Sequence, residues 1–303
     1  MKSYLLENNE LISNKKNSNI FFLTEEELKN MSEFANHKYL PNSFNAVDSV
    51  SKIDFYKDIY YGNLYLSKYL FESNFNLLFI YKNQQLFFII DNSFNETKLV
   101  DIINNELDKY LITIDNMLII VVLLLNYLIS NDVKYANKIQ KEIDKLENKL
   151  LIDKETNNFN VKLLNIRKQL AKFRKNNNSI AEFIDIVEYQ NIFKDGLLQI
   201  IKLIDNKNNR LGNDIKVMIE HTIQIKEVYQ NQLDVNLNDT MNLFTVISAI
   251  FLPLTLITSW YGMNFIAPEF KAEHGYLIPV ILSVITLAAT IFIIRKYNFL
   301  KKK

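Results

Sequence analysis

Near the C-terminus no acidic or basic side chain occurs between Asp239 and Glu269, and inside that interval Leu243 to Trp260 reads LFTVISAIFLPLTLITSW. At about 1.5 Å of rise per residue this run supplies roughly one bilayer thickness of helix. A second run, Tyr276 to Ile294 (YLIPVILSVITLAATIFII), is comparably long and stops at Arg295. Two membrane spans are expected. A third apolar run, MLIIVVLLLNYLI from Met117 to Ile129, is shorter and leads into the charged stretch NKIQKEIDKLENKL, so it is expected as a buried helix of a soluble domain. The flanks set orientation. The tail RKYNFLKKK carries Arg295, Lys296, Lys301, Lys302 and Lys303, whereas the segment between the spans has only Lys271 against Glu269 and Glu273. The expectation is a multi-pass protein of the cell (inner) membrane with both termini cytoplasmic.

Three regions follow: an α/β cytosolic domain over 1–112, a helical cytosolic region ending in a long stalk helix over 113–240, and a membrane domain over 241–303. In the first, FYKDIYYGNLYL and the pair NLLFIY and QLFFII, joined across KNQQ, read as strands, while TEEELKNMSEF opens with a capping pattern from Thr24 to Glu27. Beyond Ile114 helical patterns dominate: Asp115 to Leu150, Phe159 to Lys175, Ser179 to Ile204, then Arg210 onward, with NNFN, NNNS and NKNNRLGN as the expected breaks. Nothing stops the last helix between Asn213 and Trp260, which predicts a rod of about 70 Å serving as both stalk and span.

Stepping back from Ser259 by four and three residues in alternation gives Thr255, Leu252, Ser248, Thr245, Met241 and Asn238, a coiled-coil seam of small, hydroxyl and amide side chains. The same phase continues through Asp234, Asn231, Glu227, Gln224 and Glu220, so a carboxylate recurs every seven residues. Parallel copies around an axis would line it with hydroxyls in the membrane and with acidic rings below. Ser and Thr in membrane helices also serve close packing, and carboxylates on a long helix form solvated faces. Periodicity leaves both readings open.

The stretch YGMNF, Tyr261 to Phe265, follows the first span directly, and it resembles the Gly-Met-Asn signature of the CorA family of magnesium channels and transporters. The likeness runs from Asn238 to the C-terminus: Asn238, Met241, Phe244 with Thr245, FLPLT from Phe251 to Thr255, Pro268 with Glu269, Gly275 with Tyr276, and the basic tail. HTIQI, His221 to Ile225, is similar to the stalk of bacterial members. The resemblance implies a homopentameric channel with an α/β cytosolic domain, a funnel of long stalk helices, two C-terminal transmembrane helices and an ion path along the first of them. Its site residues would be Gly262, Met263 and Asn264 for selectivity, with Asn264 meeting hydrated Mg²⁺. Asn238, Met241, Phe244, Thr245, Ser248, Leu252, Thr255 and Ser259 would line the pore, with Glu220, Glu227 and Asp234 in the funnel. Mg²⁺ dehydrates reluctantly, so a neutral amide ring that hydrogen-bonds its waters lets it pass where converging carboxylates would hold it. Gly262 lets the chain leave the helix without a Cβ in the way.

Phe244 stands where the family usually has Leu, and Ser259 where Gly is frequent. The segment between HTIQI and Asn238 is about two heptads shorter than in bacterial members, so the family's regulatory metal residues are not carried over; Asp205 and Asp214 are only candidates. The implied partners are further copies of the chain, divalent cations and lipid, with Mg²⁺ as both cargo and regulatory ion, cobalt and nickel as secondary cargo, and no cofactor. Rival readings keep the fold and carry zinc or another divalent metal, or make the protein a non-conducting membrane-anchored sensor or scaffold blocked at Phe244.

A net charge of +1 without a basic stripe argues against nucleic acid, and the absence of cysteine excludes thiolate chemistry. No Gly-rich phosphate loop or HExxH supports an enzyme, and His37, His221 and His274 lie far apart. NET at Asn95 fits a glycosylation sequon, which a cytosolic domain would not present to the machinery.

Overall fold

The computed structural model describes residues 2–7, 10–13, 18–31, 51–56, 58–66, 75–90, 95–110, 114, 116–152, 158–190, 193, 195–263, 275 and 277–296. They form seven strands and six helices in the order β1 (Lys2–Glu7), β2 (Glu10–Ser13), β3 (Ile20–Leu23), α1 (Glu25–Lys29), β4 (Lys52–Tyr56), β5 (Ile59–Leu66), β6 (Phe75–Lys82), β7 (Gln85–Ile89), α2 (Glu96–Leu107), α3 (Ile119–Ile152), α4 (Phe159–Tyr189), α5 (Asp195–Tyr261) and α6 (Leu277–Lys296). Two compact units divide between Gln224 and Ile225.

In the first unit the strands make one sheet in the order β2-β1-β3-β7-β6-β5-β4, with only the β3–β7 pair parallel. Alternation of side chains divides its aromatic residues between two faces. Phe22 stacks on Phe88 on one face, and there Phe79 meets Phe183 of α4. On the other, Phe21 stacks on Phe87, and Leu23, Ile80 and Ile89 bury Leu28 of α1. The expected capping box is present: Thr24 Oγ1 accepts from the Glu27 amide, and the Glu27 carboxylate accepts from the Thr24 amide. The KNQQ turn is a two-residue hairpin loop with Asn83 and Gln84 both at positive φ, 50° and 64°, the geometry that matches strand twist. The stretch FYKDIYYGNLYL contributes the end of β4 and all of β5. Strands β1 to β3 and helix α2 lie where no sequence pattern pointed. Asn95 of NET caps α2, its Oδ1 accepting from the Thr97 amide and hydroxyl.

Two expected breaks are absent. NNNS lies inside α4, which runs unbroken to Tyr189, and NKNNRLGN lies inside α5, which begins at Asp195 rather than near Asn213. No single helix covers Ser179 to Ile204. The asparagines that suggested turns join the two helices instead. Asn177 Nδ2 donates to Asn208 Oδ1 (2.7 Å) and to the Asn208 carbonyl (2.9 Å), and Asn208 Nδ2 donates back to the Asn177 carbonyl (3.1 Å). Gly212 allows this approach: a Cβ there would stand 2.5 Å from Asn177 Oδ1. The break at NNFN is real, with Asn158 left-handed at the start of α4.

Among the described residues three helices are long and apolar enough to cross a membrane: α3, α5 from Gly196, and α6. The apolar window of α3 is 67% buried by the rest of the chain, against 6% for the other two. Ile119, Ile120, Val121, Leu123, Leu125 and Ile129 are sealed from solvent, so this run is a core helix.

Candidate functional site

Helix α5 carries nearly every candidate residue. It runs without interruption from Asp195 to Tyr261, and its 67 residues correspond to about 100 Å of axis. It passes straight through Pro253, whose missing N–H leaves one carbonyl in the preceding turn without its usual donor.

Every seam position is exposed: Glu220, Glu227 and Asp234, then Asn238, Met241, Thr245, Ser248, Leu252, Thr255 and Ser259. Exposure alone would not distinguish a face, since most of this segment is open. The buried positions do. In the second unit Val246 and Ile257 are covered, Ala249, Ile250, Pro253, Leu254 and Tyr261 partly so. A cleft of about 480 Å³ between α5 and α6 is lined by Leu254, Ile257 and Tyr261 from one side and Pro279, Ser283 and Leu287 from the other. At about 100° per residue, the seam from Asn238 to Leu252 lies roughly opposite Leu254, Ile257 and Tyr261, while Gly262, which also lines the cleft, falls nearly in line with Thr255. Phe244 sits about 100° round from Thr245, at the seam's edge rather than on its centre line.

The threonine hydroxyls have a defined polarity. Thr245 Oγ1 donates to the Met241 carbonyl (2.9 Å) and Thr255 Oγ1 to the Phe251 carbonyl (2.8 Å). With the hydroxyl proton committed to the helix, each oxygen faces outward as an acceptor, the polarity that water around a cation requires.

The carboxylates do not form a compact centre within one chain. Successive members of Glu220, Glu227 and Asp234 are about 10 Å apart along the axis, and Asp205 and Asp214, nine residues apart, lie on opposite sides of the helix. Burial, then the neighbouring Asp185, raise the Asp205 carboxyl above its usual range, while a bond from Asn209 (2.9 Å) opposes them. Among the described residues no group of three or more His, Asp or Glu could hold a metal ion. In HTIQI, His221 Nε2 lies 3.2 Å from Glu147 Oε2 of α3, Thr222 is buried with its hydroxyl on the Ile219 carbonyl, and Ile225 is buried.

Gly262 and Met263 follow α5 directly, the Gly262 amide donating to the Thr258 carbonyl (2.9 Å). Asn264, His37 and His274 lie outside the described residues, as do Tyr276 and the tail from 297.

Sequence reasoning missed a buried network at the base of α5. Glu106 of α2, 1% exposed, pairs with Lys109, and its second oxygen accepts from Asn126 Nδ2 of α3 (2.8 Å). Asn126 Oδ1 accepts from Lys207 Nζ of α5 (3.1 Å), which also donates to Ser130. Burial pulls the Lys207 ammonium below its ordinary range, and the Glu106 charge opposes this. The signal was one amide, Asn126, inside the apolar run MLIIVVLLLNYLI.

Comparison with known proteins gives a consistent result. The sequence model of a family described as CorA-like Mg²⁺ transporter protein matches residues 19–296. The cobalt/magnesium transport protein CorA of Thermotoga maritima is 29% identical over 195 residues, 59% of this chain and 50% of that protein. The magnesium transport protein CorA of Haemophilus ducreyi is 40% identical over 135 residues, 44% of this chain and 35% of its own. The chain thus spans about half, or less, of the length of these curated relatives. Among solved structures, the complete CorA magnesium transporter of Methanocaldococcus jannaschii superposes with a TM-score of 0.75 at 17% identity, covering 97% of this chain and 96% of that one. The full-length CmaX protein gives 0.61 at 15% identity, covering 82% and 77%. The cytoplasmic domain of ZntB from Vibrio parahaemolyticus gives 0.55 at 9% identity, covering 77% and 98%. At these identities the structural likeness is one of fold.

Proposed function

The chain belongs to the CorA-like Mg²⁺ transporter family, and from that premise we propose that it carries Mg²⁺ across the cell membrane as a homopentamer whose pore is lined by α5. Residues 241–303 form the membrane part, with α5 and α6 as its two spans and both termini in the cytoplasm. The observation that carries this reading is the seam of α5: an exposed face at every seam position from Glu220 to Ser259, on a helix that ends immediately before Gly262, Met263 and Asn264.

The path follows from the side chains. Asn264 collars at the outer mouth accept hydrogen bonds from the waters of Mg²⁺ without stripping them, because the ion keeps its shell where no carboxylate competes. Thr255, Ser248 and Thr245 offer further oxygens in the span, while Leu252 and Met241 narrow the path and Asn238 forms the inner polar ring. Glu220, Glu227 and Asp234 concentrate cations below it. Residues spaced too far apart to share an ion in one chain form rings when copies surround an axis. Closure at high cytosolic Mg²⁺ would act through α5, which is a continuous helix from Asp195 to Tyr261. Cobalt is the second ion, in keeping with the activity named for the Thermotoga relative.

The test is uptake into proteoliposomes, comparing Mg²⁺, Co²⁺, Ni²⁺ and Zn²⁺ at equal gradients. The reading expects Mg²⁺ entry, with Co²⁺ accepted. Entry of Zn²⁺ with Mg²⁺ excluded would change the cargo, and a correctly assembled oligomer passing no ion would make the protein a sensor.

A further inference from the structure

Asp132 of α3 and Asn176 of α4 face each other in the interior of the first unit, each 8% exposed. Their one bond runs from Asn176 Nδ2 to Asp132 Oδ2 and is long, 3.5 Å. Asn176 Oδ1 has no hydrogen-bond partner among the described residues. A buried carboxylate with one distant donor, beside a buried carbonyl oxygen with none, is an expensive arrangement. A single hydrogen removes both defects. A proton on the second Asp132 oxygen donates to Asn176 Oδ1 while the amide N–H stays on Oδ2. The product is the two-bond ring that a carboxylic acid and a carboxamide form side by side.

We propose that Asp132 and Asn176 form a proton-binding site at the α3–α4 contact, closed when the carboxyl is neutral and opened when it is charged. The surroundings agree with this. Lys134 on α3 and Lys172 and Lys175 on α4 are exposed; on α5, Lys207 is held by Asn126 and Ser130, Asp205 by Asn209, and Asn208 by Asn177. Among the described residues no neighbouring charge compensates Asp132, and burial, opposed by the Asn176 bond, pushes its carboxyl up to about 7 from an ordinary 3.8. The site therefore titrates in the range a cytoplasm visits. Because the folded form holds the proton more tightly than the unfolded chain, its stabilising effect is complete below about pH 4 and is lost as pH rises through about 7. None of this depends on which ion the chain transports.

The experiment uses the full chain in detergent and reads the infrared carbonyl band of protonated carboxyl groups together with the thermal midpoint from about pH 4 to 8. The wild type should keep a protonated carboxyl at pH 6 that titrates near 7 and survives Asp205→Asn. Asp132→Asn should abolish the band and remove one proton's worth of the fall in stability with pH. Absence of the band at pH 6, or a midpoint near 4, overturns the proposal even where Asp132→Asn fails to fold. So does an unchanged pH dependence in a folded variant. Loss of the band at constant pH on adding Mg²⁺ would also overturn it, assigning the pair to a metal.

Discussion

Replacing Asn126 with leucine tests whether the base of α5 is held to α2 and α3 by the buried network or only by apolar packing. The substitution removes the bond to the Tyr110 hydroxyl (3.2 Å) and two bonds with charged groups, to the Glu106 carboxylate (2.8 Å) and from Lys207 (3.1 Å). Each such bond contributes about 1.5–3 kcal/mol, so roughly 3–6 kcal/mol is lost. Leucine recovers about 1–2 kcal/mol by filling the space with carbon. A net loss of about 1–5 kcal/mol follows, equivalent to a fall of roughly 2–8 °C in the melting temperature of a chain this size. The assay is thermal unfolding of the full-length protein in detergent, in a cycle with Lys207→Met and the double variant. If Lys207 acts through Asn126, the two changes are non-additive by about 1–2 kcal/mol. A shift of under a degree, or full additivity, would refute the reasoning and leave the network as a bystander to hydrophobic packing.

Gly212→Ala should change sign with background. In the wild type its Cβ would stand 2.5 Å from Asn177 Oδ1 and displace a buried bond, so thermal unfolding should record destabilisation of about 1–2 kcal/mol. In Asn177→Ala the obstruction is gone, and the same change should stabilise by up to about 1 kcal/mol through helix propensity. Gln84→Gly should raise stability by about 0.5–1 kcal/mol in the same assay, because Gln84 holds φ at 64° in a turn that glycine adopts freely. Changing Glu220, Glu227 and Asp234 together to their amides should lower Mg²⁺ flux at low ionic strength and much less at high salt; equal flux at low salt would remove the funnel from the account.

The sequence disclosed the parts of the fold whose signal is local. Two long uncharged runs, the Thr24–Glu27 box, the KNQQ turn and the apolar segment before Asn126 each declare themselves within a few residues. What it hid depends on neighbours distant in the chain. Asn177 and Asn208 carry the composition of a turn, yet they sit inside helices because each bonds the other's amide and backbone across the helix contact. Strands β1 to β3 are short and mixed in character, and pairing decides them: β3 joins β7, β1 joins β3 and β2 joins β1. The seam was readable as a phase, since seven-residue spacing is a property of one helix. That its part from Asn238 to Leu252 turns away from α6 required knowing which α5 positions α6 covers.

The most direct test concerns a single side chain at the proposed mouth. Asn264→Ala should assemble as the wild type does in lipid and lose most of its Mg²⁺ uptake in proteoliposomes, because the ring that holds the hydrated ion is gone. Undiminished Mg²⁺ entry through a correctly assembled Asn264→Ala oligomer would contradict the account at its centre.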